Sequence, residues 1–169
     1  MFNVRGLKPR SAPSKVGYIS DVVHDSNQLF IALTETWLCD HKDAEVHVDG
    51  YTLFRQDRKV QTKSRVGRDS GGVAVYVRDD IAVHSNIVVN FSNGVVEALA
   101  VHLNIINTVL IIVYRSPESA GTKKSGHSQL MPCLQKIKEC LQNVSTPTPN
   151  IVVCGDMNLP NTNWLLGRM

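Results

Sequence analysis

Apolar residues recur along this chain in two patterns. Short, nearly unbroken apolar runs predict strands, Leu29–Leu33, Val73–Val77, Thr108–Tyr114 and Ile151–Cys154, of which the first and last read as buried. Phe2–Arg5 and Tyr51–Phe54 are shorter strand candidates, and Ile81–Phe91 and Val95–Leu103 are longer β-rich runs. Ser92-Asn93-Gly94 separates the last two, and Asn-Gly is a strong hairpin signal. Asp79-Asp80 and Asn104–Asn107 read as turns. The second pattern is helical. Val16, Ile19, Val22 and Val23 follow a three-and-four spacing behind Ser14, a candidate cap. Leu130, Leu134, Ile137 and Leu141 repeat that spacing, with Cys133 and Cys140 alongside. Pro132 suits that helix only near its first turn, because proline lacks the N–H a helix interior needs. About eight strands and two helices predict an α/β fold whose sheets are mixed or antiparallel.

At 169 residues the chain has the length of one domain. Its 43% hydrophobic and 20% charged content suits a folded core rather than disorder. Its apolar runs fall far short of the ~20 residues that span a membrane. The N-terminal residues carry no signal-peptide pattern. Four cysteines, none in a Cys-x-x-Cys pair, read as buried or half-buried free thiols of a reducing compartment. An intracellular location, nuclear or cytoplasmic, follows as the expectation.

The net charge of +3 says little, but its distribution is uneven. Arg55, Arg58, Lys59, Lys63, Arg65 and Arg68 crowd one segment against a single acid, Asp57. Such a segment could meet a polyanion, but charge alone favours a solvated loop.

Polar residues at strand ends are the other feature, because a rigid scaffold can aim them. They are Asn3 in the first strand, Glu35 after Leu29–Leu33, Tyr114 ending Thr108–Val113, and Asp156 and Asn158 after Ile151–Cys154. Each could singly be a cap or turn residue. Their order and setting carry more. Asn3-Val4-Arg5-Gly6-Leu7, Thr34-Glu35-Thr36-Trp37-Leu38 and Gly71–Val77 come first. Tyr114-Arg115-Ser116-Pro117 and Gly155-Asp156-Met157-Asn158-Leu159-Pro160 through Trp164 follow.

This series resembles the endonuclease/exonuclease/phosphatase family, and within it the endonuclease domain of non-LTR retrotransposons. The resemblance implies a two-sheet α/β sandwich of the deoxyribonuclease type, with residues 1–169 as a single partial domain lacking C-terminal strands. It implies an Mg2+-dependent phosphodiesterase that nicks DNA, with Mn2+ as a substitute ion. Glu35 would be the principal metal ligand, supported by Asn3. Asp156 would orient or deprotonate the attacking water, a task suited to a carboxylate. Asn158 and Tyr114 would donate to the phosphate. The basic segment, joined by Arg115, would contact DNA. The family's Ser-Asp-His block, which supplies its catalytic histidine, is absent from this sequence; none of the six histidines lies in such a block. Poor activity is therefore expected. Two alternatives stand beside this reading: a host phosphatase or nuclease of the same family, and a non-catalytic nucleic-acid-binding remnant.

Overall fold

A computed structural model describes residues 1–58, 70–117, 126–143 and 148–158. Two four-stranded sheets form within these residues. The first contains β1 (Phe2–Asn3), β2 (Phe30–Thr34), β3 (Tyr51–Gln56) and β4 (Val73–Arg78), in the order β1-β2-β4-β3. The second contains β5 (Ser85–Ser92), β6 (Val96–Leu103), β7 (Thr108–Arg115) and β8 (Asn150–Asp156), in sequence order. Helix α1 (Val16–Asp25) covers the first sheet, and α3 (Gly126–Gln142) covers the second. A short helix, α2 (Asp79–Ala82), joins the two.

The layers follow from the alternation of side chains along each strand. Ala32, Val73, Val75 and Val77 of the first sheet meet Leu99, Val101, Leu110 and Ile112 of the second in one buried cluster. On the opposite face of the first sheet, Ile31, Leu33 and Tyr76 pack on Ile19 and Val23 of α1. On the outer face of the second, Ala98, Ala100, Val109 and Ile111 pack on Leu130, Cys133 and Ile137 of α3. β2 and β7 are buried along nearly their whole length, which explains their continuous apolar sequences. This is the two-sheet α/β sandwich expected from the sequence.

Four local expectations are corrected. Ile151, Val152 and Val153 are 49%, 39% and 55% exposed, so this segment is a strand but not a buried one. β8 pairs with β7 on one side, and among the described residues its other edge has no strand beside it. Asp79-Asp80 begins α2 rather than a simple turn, and α2 takes Ile81 and Ala82 out of the following strand. Leu134 is 39% exposed and does not share the buried face of α3. Pro132 lies well inside α3, beyond its first turn. The hairpin at Asn93-Gly94 stands as expected: the Asn93 side chain accepts from the Val95 and Val96 amides at 3.0 and 2.8 Å. All four cysteines are free thiols, Cys133 buried and the others half-buried.

The connectivity gathers the polar strand ends at one end of the sandwich. β1 runs parallel to β2, pairing Asn3 with Thr34. β7 runs parallel to β8, pairing Tyr114 with Asp156. Parallel partners finish at the same edge, so each pair delivers two polar residues together. The antiparallel neighbours add their opposite ends: Val73 of β4 pairs with Thr34 and with Gln56, and Glu97 of β6 pairs with Tyr114.

Candidate active site

Glu35 is the first residue past β2, and its backbone leaves the strand in the left-handed region, at φ 56. Such a conformation is costly for a side chain larger than glycine and persists only where neighbours impose it. Here they do. The Gly6 amide donates to Glu35 O at 2.7 Å and the Leu7 amide to Thr36 O at 3.0 Å. On the other side the Thr36 amide donates to Gly72 O at 3.3 Å and the Trp37 amide to Gly71 O at 3.1 Å. The Arg5-Gly6-Leu7 and Gly71-Gly72 segments thus clamp the turn that presents Glu35. Gly72 is at φ +84, and a Cβ there would lie 2.5 Å from Thr36 Oγ1, so the close approach requires glycine.

The carboxylate so presented meets two side chains from the sequence reading, and one of them also holds a third, Asp156. Asn3 Nδ2 donates to Glu35 Oε1 at 2.9 Å and to Asp156 Oδ2 at 3.1 Å. The Tyr114 hydroxyl donates to the same Glu35 oxygen at 3.2 Å. Burial first, and then the Glu35 charge, pushes the Tyr114 phenol well above its ordinary value. Tyr114 is therefore a protonated donor throughout the neutral range. Asp156 owes its place to Gly155, whose Cβ would fall 1.9 Å from Val113 O on the adjacent strand.

Asn158 stands differently. Its Nδ2 donates to Arg115 O at 2.6 Å, while Arg115 Nη1 donates back to Asn158 O at 2.6 Å and to Met157 O at 3.3 Å. The Asn158 amide is tied to β7 rather than to Glu35 or Asp156.

Three arginines expected at a DNA surface have partners within the chain. Arg115 is 4% exposed and braces the Met157–Asn158 backbone. Arg55 pairs with Asp43 at 3.2 Å and Asp57 at 3.4 Å. Arg58 reaches both oxygens of Glu97, from Nε at 3.0 Å and Nη2 at 3.1 Å. The other basic residues of that expectation, Lys59, Lys63, Arg65 and Arg68, lie outside the described residues.

Glu97 was not anticipated from the sequence. It is fully buried in β6 and also accepts from the Gly72 amide at 3.3 Å. A signal was present: a lone carboxylate inside the apolar run Val95–Leu103 is costly unless a cation meets it.

The donor set suits a hard divalent cation. Glu35 offers carboxylate oxygen, and a small hard ion that keeps most of its waters needs only one or two protein carboxylates. Among the described residues no group of three or more His, Cys, Asp or Glu is gathered for a metal. No helix among the described residues is long and apolar enough to cross a membrane.

Solved structures share this fold at low sequence identity. The human Nocturnin catalytic domain, with bound sulfate anion, aligns at 14% identity and a TM-score of 0.59, over 93% of this chain and 62% of its own. Danio rerio TDP2, complexed with a single-strand DNA product, aligns at 17% identity and 0.57, over 93% and 58%. The Bacteroides thetaiotaomicron mannosyl-6-phosphatase aligns at 15% identity and 0.55, over 85% and 56%. The chain thus spans roughly three fifths of the length of these structures. No curated protein sequence matches it. The Endonuclease/Exonuclease/phosphatase family model matches residues 2–169, so with the two-sheet fold and the strand-end site the chain belongs to that family.

Proposed function

We propose that this chain carries the divalent-metal phosphodiesterase site of a DNA-nicking endonuclease of the non-LTR retrotransposon type. The observation that carries the site is the Asn3 amide, which holds Glu35 and Asp156 together while Tyr114 holds Glu35 from the opposite sheet. The nicking and retrotransposon parts of the reading rest on the Thr34–Leu38 and Tyr114–Pro117 blocks and on the basic run after Arg55.

Glu35, supported by Asn3, would hold the Mg2+ or Mn2+ ion. When bound, the ion supplies neutralisation of charge on the phosphate oxygens. Asp156 Oδ2, fixed by the Asn3 amide, accepts a proton from the attacking water and orients it. The Tyr114 hydroxyl, kept protonated by burial, is a preorganised donor beside the metal ligand. Asn158 would turn its amide from Arg115 O toward the phosphate as substrate enters.

Relaxation of supercoiled plasmid by the 169-residue chain tests this. Slow nicking that needs Mg2+ or Mn2+ and is abolished by Glu35→Ala and Asp156→Ala is expected. Nicking that survives Glu35→Ala overturns the metal assignment. Hydrolysis of phosphate monoesters without nicking moves the reading to a phosphatase. Metal-independent DNA binding without cleavage moves it to a nucleic-acid-binding remnant.

A further inference from the structure

The Arg58–Glu97 pair takes no part in the chemistry just described, yet it touches the Gly71-Gly72 segment and Tyr114, which help to place Glu35. The pair is deeply buried: the Arg58 side chain is 10% exposed and Glu97 is 0% exposed. Both oxygens of Glu97 accept from the Arg58 fork, and Oε2 also accepts the Gly72 amide. Arg58 Nη1 donates to Ser70 Oγ at 3.1 Å. The guanidinium carbon lies 5.8 Å from the centre of the Tyr114 ring, within cation–π range. The guanidinium also packs against Gly71, where a Cβ would meet three of its atoms at 2.3–2.6 Å.

Four elements are tied by this one contact. Arg58 follows β3, Gly71 and Gly72 precede β4, Glu97 sits on β6, and Tyr114 sits on β7. The first two belong to one sheet and the last two to the other. Gly71 O and Gly72 O are the acceptors that clamp the Glu35 turn, and Tyr114 is the donor that reaches Glu35. A buried ion pair is weak evidence of added stability, since its desolvation offsets most of its attraction. Its directional, bidentate bonding is suited to fixing geometry.

We propose that Arg58 and Glu97 are positioning residues that lock Tyr114 and the Glu35 turn together across the two sheets. The consequence for turnover rests on the reading of Glu35 as metal ligand; the positioning itself does not.

The test separates the two. Replacing the pair by apolar residues, Arg58→Met with Glu97→Leu, removes the lock without leaving a buried charge unpaired, and such exchanges are often neutral for stability. Native-state amide hydrogen exchange on the whole chain then reads the site residue by residue. The amides of Thr36 and Trp37, whose acceptors are Gly72 and Gly71, should exchange about tenfold faster or more. The amides of Ile31 and Val75, at the centre of the first sheet, should keep their protection. Arg58→Lys keeps the charge but loses the fork, and should give the same selective loss to a smaller degree; it decides the matter if the double variant does not fold. Unchanged exchange at Thr36 and Trp37, or uniform acceleration across the sheet, overturns the proposal. Mn2+ affinity, followed by electron paramagnetic resonance, should weaken about tenfold in parallel. Absence of Mn2+ binding to the unsubstituted chain would overturn the metal reading of Glu35 and leave the exchange result to decide the positioning claim.

Discussion

Asn3 and Asp156 are 153 positions apart, and the side chain of one donates to the carboxylate of the other at 3.1 Å. The bond closes the sandwich at one end: Asn3 belongs to the first sheet and Asp156 to the second. The same Asn3 nitrogen donates to Glu35. One neutral amide therefore stands between two carboxylates that would otherwise repel across the sheet interface.

Asn3→Ala removes this bridge. Turnover in the plasmid assay should fall on the order of 10²–10³-fold, the typical cost of losing one preorganised polar group at a charged site. The melting temperature should move little, because Asn3 is exposed. A large loss of stability with a proportionate loss of rate would mark Asn3 as structural.

Gly155→Ala should be severe. Its Cβ would collide with the Val113 carbonyl in a parallel ladder that has no slack. A destabilisation of roughly 3 kcal/mol or more is expected, in the range of steric defects in a packed interior. Chemical denaturation measures it, and the ladder amides of β8 should lose protection first.

Stability should fall on the alkaline side. Burial raises the Tyr76 phenol from 10.0 to about 12 and the Cys133 thiol from 9.0 to about 11. It raises Tyr114, Cys140 and Cys154 in the same direction. These groups fold in their neutral forms, so their contribution is complete below the unfolded values of about 9 and 10. It is lost as pH climbs through the raised folded values. Melting temperatures should hold to about pH 8.5 and then decline. A flat profile to pH 11 would contradict the burial of these groups.

The salt dependence of DNA binding should reside in Lys59, Lys63, Arg65 and Arg68. Each phosphate contact adds about 0.9 to the slope of log affinity against log salt on duplex DNA. Changing the four to Ser should flatten the slope by up to the corresponding amount. Arg58→Ser should act instead on folding and on the Glu35 turn, because its guanidinium is bound to Glu97. An unchanged slope in the fourfold variant would make the basic run a solvated loop.

Much of the architecture is legible in the sequence because burial on both faces writes itself as continuous apolar runs. Phe30–Leu33 and Thr108–Tyr114 are such runs, and they became the buried β2 and β7, while Leu29 is exposed just before β2. The Asn93-Gly94 hairpin was legible for a local reason, since the Asn93 side chain caps its own turn. Ile151–Val153 misled for the same reason that β2 did not: apolar composition reports β-propensity, whereas exposure depends on what lies beside the strand.

The residues at the strand ends were also legible, through the order of the blocks that carry them. Asn3, Glu35, Tyr114 and Asp156 could be named from the chain alone. What tertiary structure decided was partnership. The sequence reading places Arg55, Arg58 and Arg115 at a DNA surface, since a sequence records charge and not distance. Folding brings Arg58 to Glu97 and Arg115 to the Asn158 backbone, and only that proximity makes burial of their charge tolerable. The left-handed turn at Glu35 was likewise invisible, because no local preference of glutamate asks for it. It exists because Gly6 and Leu7 on one side and Gly71 and Gly72 on the other supply its hydrogen bonds, and those segments meet only once the sheet has formed.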